Sequence, residues 1–241
     1  VNDAPVVIDG STSLAAINED NTNPPGNDVN TLFNSSFDDS EDDSEGSSAD
    51  NLAGVAVKIN SATSDQGVWQ YRDGGSWTNL PVVSESAALV LSSATLVRFD
   101  PAPNWNGVPG FLVAHLIDDY DGAVTTGSIV DVSPGNVGDP TVYSVGTVTL
   151  GTQVNAVNDA PVVTDNNTTL GFIEEDNADP PGSEVSTLFG SSFDDSEDDS
   201  EGSSANILAG VAIESNSASA IQGIWQHSTN DGASWTPLGT N

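Results

Sequence analysis

The chain has 241 residues, enough for one large or two ordinary domains, and its apolar fraction of 36% supports a β core but is low for a compact enzyme. Thirty-six acidic residues against three basic ones give a formal charge of −33, which repels phosphate backbones and anionic surfaces and excludes nucleic acid and membrane insertion as expectations. Self-repulsion of this size calls for counter-cations, supplied by salt or by specific binding of hard divalent ions.

Taken in chain order, the pattern reads as β almost throughout. Residues 5–8, 55–59, 67–71, 89–91, 95–99, 111–117 and 141–150 are β-branched or aromatic runs, several alternating at period two. Asp73-Gly74, Asp121-Gly122 and Asp231-Gly232 supply turns between them. One short helix is expected at Val29 to Phe33 and again at Val185 to Phe189. The expected fold class is all-β: a Greek-key β-sandwich, cadherin- or immunoglobulin-like, in tandem.

The tandem reading comes from self-comparison. Val1-Asn2-Asp3-Ala4-Pro5-Val6-Val7 recurs as Val157-Asn158-Asp159-Ala160-Pro161-Val162-Val163, and Ser35 to Ala49 returns letter for letter as Ser191 to Ala205. Trp69 matches Trp225 at an offset of 156 and Trp77 matches Trp235 at 158, after which the second copy has no counterpart of Leu89 to Leu150. The expected domains are a full repeat at 1–156 and a truncated second copy at 157–241. Modules of about 80 residues, or a domain spanning roughly 84–241, are the alternatives. A period this long favours whole domains in series over a small-repeat solenoid. The absence of methionine suggests a piece of a longer polypeptide.

Chemistry is concentrated in two acidic runs. Residues 38–45 pack six carboxylates into eight positions, among them Asp38, Asp39, Asp42 and Asp43, and residues 194–201 repeat them with Asp194, Asp195, Asp198 and Asp199. Like charges at this density attract a hard cation, and carboxylates with Ser and backbone oxygens are ligands that calcium accepts. The spacing is not that of an EF-hand, so a solvated acidic loop is the alternative. Glu19-Asp20 and Glu175-Asp176 follow the first strand of each copy, Asp3 and Asp159 mark the repeat boundary, and Asp118-Asp119-Tyr120-Asp121 lies upstream of the second boundary. Turn-capping by single Asp and Asn residues competes with ligation at each of these positions.

Other features point away from catalysis. There is no cysteine, and only Lys58, Arg72 and Arg98 carry fixed positive charge. His115 and His227 have no nucleophile beside them in the pattern, and no two carboxylates stand out as a glycosidase pair. The tryptophans read as cross-strand packing more than as a sugar-stacking platform. Asn34-Ser35-Ser36 and Asn167-Thr168-Thr169 match glycosylation sequons. Ser228 to Trp235 resembles the Asp-box hairpin, with Asn230 in place of the usual Asp.

The boundary motif at 1–5 and 157–161, Glu19-Asp20 and Glu175-Asp176, Gly67-Val68-Trp69-Gln70-Tyr71 with Asp73-Gly74-Gly75-Ser76-Trp77, and Leu96 to Pro101 followed by Asn104-Trp105-Asn106-Gly107 together resemble the cadherin-like repeats of large bacterial surface adhesins of the RTX type. That resemblance implies an extracellular, calcium-stabilised structural or adhesive segment at a bacterial cell surface. Its partners would be adjacent repeats of the same polypeptide and a surface glycan or protein. It further implies interdomain calcium ligands at Asp3 and Asp159 and acidic-loop ligands at Glu19, Asp20, Glu175 and Asp176. The nonapeptide calcium repeats of the RTX secretion end are absent here. A carbohydrate- or peptide-binding module is the alternative, and a glycoside-active enzyme a more distant one.

Overall fold

Strand Leu112–Asp118 is buried at every position, and this explains a sequence that is apolar on both faces apart from His115 and the terminal Asp118, since a strand covered on both sides needs no alternation. It lies inside a six-stranded sheet in the computed structural model, which describes residues 2–42, 48–198 and 203–239. The sheet order is Ile129–Val130, Ala88–Ser92, Leu52–Asn60, Leu112–Asp118, Val148–Gly151 and Ser11–Ser13. A second sheet has four strands, Asn27–Asp28, Leu96–Pro101, Gly67–Arg72 and Thr78–Asn79. Four further sheets have two strands each.

One apolar cluster draws on both larger sheets. Trp69, Val97 and Phe99 of the four-stranded sheet join Val55, Val57, Leu89, Leu91 and Leu116 of the six-stranded one. Trp69 meets the Phe99 ring edge-on, with centroids 5.3 Å apart, and its indole N–H donates to Gly110 O at 2.8 Å, so the ring is buried with its polar handle satisfied. Helix Val29–Phe33 adds Val29, Leu32 and Phe33. It starts where the Asp28 carboxylate accepts from the Thr31 N–H at 2.8 Å, an N-cap that also holds Asp28 below the usual carboxylate range. On the other face of the six-stranded sheet, Ala56, Val90, Ile117 and Val132 form a second cluster, with Val124, Val142 and Tyr143 packed on it. His115 is buried on this strand, Nδ1 against Ser144 O at 2.7 Å, and burial lowers its pKa.

Two of the three basic residues share one aromatic ring. The guanidinium carbons of Arg98 and Arg72 lie 4.2 and 4.7 Å from the Trp77 ring centroid. Arg98, itself buried, also donates to Gln70 Oε1 and Asn23 Oδ1 at 2.8 Å and to Pro24 O at 3.0 Å. Gly26 has a φ of +69°, and a Cβ there would strike Val97 O, Trp77 and Arg98. The Pro-Pro-Gly turn is therefore tied to the tryptophan by close approach as well as by conformation.

Contacts divide the chain into two units, Val1–Asn158 with Asp198–Ser203, and Asp159–Glu197 with Ser204–Asn241. In the second, helix Val185–Phe189 and the pairing of Val162–Val163 with Phe193–Asp194 repeat helix Val29–Phe33 and the pairing of Val6–Val7 with Phe37–Asp38. Residues 208–216, which correspond to the long strand Leu52–Asn60, form no strand.

The all-β Greek-key expectation is overturned. Of the described residues, 10% are helical and 29% extended, in six open sheets, so the architecture is mixed α/β. Two pairings are parallel, Thr149–Gly151 with Ser11–Ser13 and Val154–Asn155 with Ile17–Asn18, where a Greek key of antiparallel connections has none. The recognition of a cadherin-like repeat falls for the same reason.

Candidate cation site

The first acidic run begins on a strand and then turns. Val6 pairs with Asp38, which aligns the N-terminal segment beside the run, and Asp38 Oδ1 accepts from Ser40 N–H at 3.1 Å to start the 3₁₀ turn Ser40–Asp42. The turn carries Asp42 to the same side as Asp39, and both are buried. Asp42 Oδ1 accepts from the backbone N–H of Asp3 at 3.0 Å, and Asp39 Oδ2 accepts from that of Asp50 at 2.7 Å. Asp39, Asp42 and Asp50 thereby place one carboxylate oxygen each within 4.8 Å of one another.

A second wall comes from the far end of the buried strand. The Leu112–Asp118 pairing shifts register between Ile117 and Asp118, an irregularity that re-aims the last residue. Asp118 is buried and accepts from Tyr120 N–H at 3.0 Å and from Asn2 Nδ2 at 3.5 Å. Asn2 Nδ2 also donates to Thr141 O at 3.0 Å, which fixes the amide orientation and leaves Asn2 Oδ1 buried with no hydrogen-bond partner. Asp119 clasps Asn51 through its N–H at 2.7 Å and its amide at 3.4 Å.

The electrostatics are those of like charges brought close together in a buried place. Burial raises the Asp118 pKa to about 7, with the charges of Asp39 and Asp50 adding to it. Asp39 is raised by burial and by Asp42, Asp50 and Asp38, against the lowering effect of the Asp50 N–H. Asp50 is raised by burial, then by Asp119 and Asp42. The two ion pairs among the described residues are elsewhere, Lys58 to Glu85 at 3.1 Å and Arg98 to Asp100 at 3.9 Å.

The remaining expected ligands divide by role. Asp3 contributes its backbone to the cluster, and Asp38 serves as a turn residue. Glu19 is a buried clasp, accepting from Val157 N–H at 2.6 Å and Asn106 Nδ2 at 3.3 Å. Asp20 is exposed on the wall of a cleft of about 570 Å³ whose lining includes Leu14, Ile17, Arg98 and Phe99. Asp121, Glu175 and Asp176 are exposed, and Asp159 is half-buried. Asp194 repeats the turn of Asp38 by accepting from Ser196 N–H at 3.0 Å, and Asp195 accepts from Asn206 N–H at 2.6 Å as Asp39 does from Asp50. Asp198 is buried, while Asp43 and Asp199 lie outside the described residues.

Asp50 and Asn2 were missed by counting charge along the run. A signal for Asp50 was available, because it and Asn206 are the first difference after fifteen identical residues. Trp69 and Trp105 are buried and offer no stacking platform. In the hairpin resembling an Asp-box, Asn230 accepts from Ser228 Oγ at 2.9 Å and Ser234 N–H at 3.0 Å, a structural task.

Comparison of the chain with protein-family models, curated proteins and solved structures gives no match. The expectation of a calcium-stabilised structural or adhesive segment, with a glycan- or peptide-binding module as its variant, is corrected accordingly. Among the described residues the carboxylates follow no calcium-binding motif, and they stand on a mixed, open-sheet fold. No helix among them is long and apolar enough to cross a membrane.

Proposed function

We propose that the chain is a non-catalytic domain that binds one hard divalent cation at Asp39, Asp42 and Asp50, with Asn2 and Asp118 beside them. The observation that carries the reading is the convergence of three carboxylates next to an amide oxygen that is buried and without a hydrogen-bond partner. An all-oxygen donor set of this kind suits calcium, which tolerates irregular geometry, better than magnesium, which demands a near-octahedral shell. Zinc is disfavoured by the absence of cysteine and by His115 lying in the apolar cluster of the sheet. A location outside the cell, where calcium is abundant, is the setting in which a site of modest affinity would be filled.

Calorimetric titration of the full chain, freed of metal by a chelator and held at constant ionic strength, tests this. Saturable binding of one calcium ion is expected, with magnesium much weaker. Asp50→Asn should weaken calcium binding by roughly 10- to 100-fold, since it removes a ligand charge a few ångströms from the ion. In chelator the same variant should melt higher than the parent, because repulsion from Asp119 and Asp42 is relieved. Equal stabilisation by sodium, magnesium and calcium would overturn the proposal and leave a charge-screened domain.

A further inference from the structure

The strand that ends at Asp118 also buries an imidazole beneath a neighbouring segment. His115 is 2% exposed and lies two residues before Ile117, hence on the face of the six-stranded sheet that holds Ala56, Val90 and Val132. Its Nδ1 is 2.7 Å from Ser144 O, which can only accept, so the neutral ring carries its proton there. Nε2 is left as a buried lone pair with no hydrogen-bond partner among the described residues. The charged and titratable groups around the ring are Lys58 on Leu52–Asn60, Glu85 before Ala88–Ser92, Tyr143 beside Ser144 and Asp118 on its own strand. Lys58 and Glu85 pair with each other at 3.1 Å and act on the ring in opposite directions, so burial is what keeps it neutral. Ser144, itself fully buried, ties its segment to the strand: its N–H donates to Leu116 O at 3.0 Å and its Oγ accepts from Leu116 N–H at 2.9 Å, while Val142 O accepts from Asp118 N–H at 3.2 Å. The same segment holds the N-terminal residues. Asn2 Nδ2 donates to Thr141 O at 3.0 Å and Ala4 N–H to Asp139 Oδ1 at 2.6 Å.

We propose that residues 139–144 form an acid-released strap, with His115 as its sensor and residues 2–4 as the part it sets free. A protonated ring under the closed strap would bury a charge together with an Nε2–H that has no acceptor, whereas lifting the strap lets water reach both. Burial lowers the His115 pKa in the closed state below the ordinary value of about 6.5, which the ring regains when the strap is open. As pH falls from about 6.5 toward the closed-state value, opening therefore becomes more favourable by up to about tenfold per pH unit. Asp118, whose pKa is raised, opposes this in the same range, so the ring is isolated only by variants that leave Asp118 in place. Release of the strap needs no ion and stands apart from the cation reading.

Hydrogen exchange of the full chain in chelator tests this, read as protection relative to the unfolded rate at each pH. The parent is compared with His115→Asn, whose side-chain N–H replaces the Nδ1 donor to Ser144 O without titrating, and with His115→Phe, which fills the site without titrating. Between pH 6 and 5 the parent should lose protection at Leu116, Asp118, Ser144 and Ala4 by about three- to tenfold more than either variant. Amides in the pairing of Leu52–Asn60 with Ala88–Ser92 should change equally in all three proteins. Equal losses in parent and variants at the strap amides would overturn the proposal. So would a parent-specific loss that extends to the Leu52–Asn60 ladder, because the whole unit would then be unfolding in place of a strap. Unchanged protection at Ala4 while the strap opens would overturn the release of residues 2–4.

Discussion

Asp118, in the second wall of the cluster, has its pKa raised by burial to about 7, so between about pH 4 and 7 the folded state holds a proton that the unfolded state has lost. The sign follows directly. Its contribution to stability is full below about pH 4 and is lost as pH rises through 7, at up to about 1.4 kcal/mol per pH unit in between. His115, kept neutral by burial, contributes the opposite slope below its usual value. Asp118 is therefore isolated by comparing the parent with Asp118→Asn in urea unfolding, both in chelator: the parent should lose stability relative to the variant between about pH 4 and 7. A parallel pair of profiles would show that Asp118 is ionised throughout. The cluster itself was only partly legible in the sequence. Counting carboxylates found Asp39 and Asp42 but could not give the direction each side chain takes. The 3₁₀ turn spends Asp38 on a backbone cap, Asp50 returns from just beyond the run, and Asn2 and Asp118 arrive from distant parts of the chain.

At the scale of elements, identical local sequence has unequal worth. Trp69→Ala removes a ring packed on Phe99 together with a hydrogen bond to Gly110, and should cost about 3–5 kcal/mol. Trp225→Ala, at a half-exposed position, should fall within about 0.5 kcal/mol of the parent. Chemical denaturation of the two variants separates them, and equal losses would mean that both copies bury their tryptophan. The six longest strands each overlap an apolar run read from the sequence, because burial in a sheet demands that composition. Two elements escaped. The run 141–150 is a strand only over Val148–Gly151, since the preceding residues cover the second cluster as a loop in which Ser144 N–H bonds Leu116 O at 3.0 Å. The parallel pairing of Val148–Gly151 with Ser11–Ser13 was hidden because its partners lie more than a hundred residues apart and neither carries a signature of direction.

For the whole molecule, the division into units predicts what heat will do. Unfolding enthalpy scales with the number of cooperatively ordered residues, so a single transition of about 110 kcal/mol is expected from Val1–Asn158, against about 170 kcal/mol if the entire chain melted as one. Scanning calorimetry in saturating calcium decides between the two values. Two ion pairs set basic against acidic side chains among the described residues, and the few positive groups are not spread evenly. Arg72 and Arg98 share the same indole, each attracted to the π system of Trp77, and the Arg98 pKa is lowered first by burial, with Asp100 opposing the shift and Arg72 adding to it. The quadrupole of the ring thus offsets part of the repulsion between the two cations that share it. Exchanging Trp77 for a neutral aliphatic residue changes no entry in a charge count, but it removes the aromatic face that both guanidinium groups share, and leaves Asp100 to oppose the repulsion of two positive charges in a strongly acidic chain.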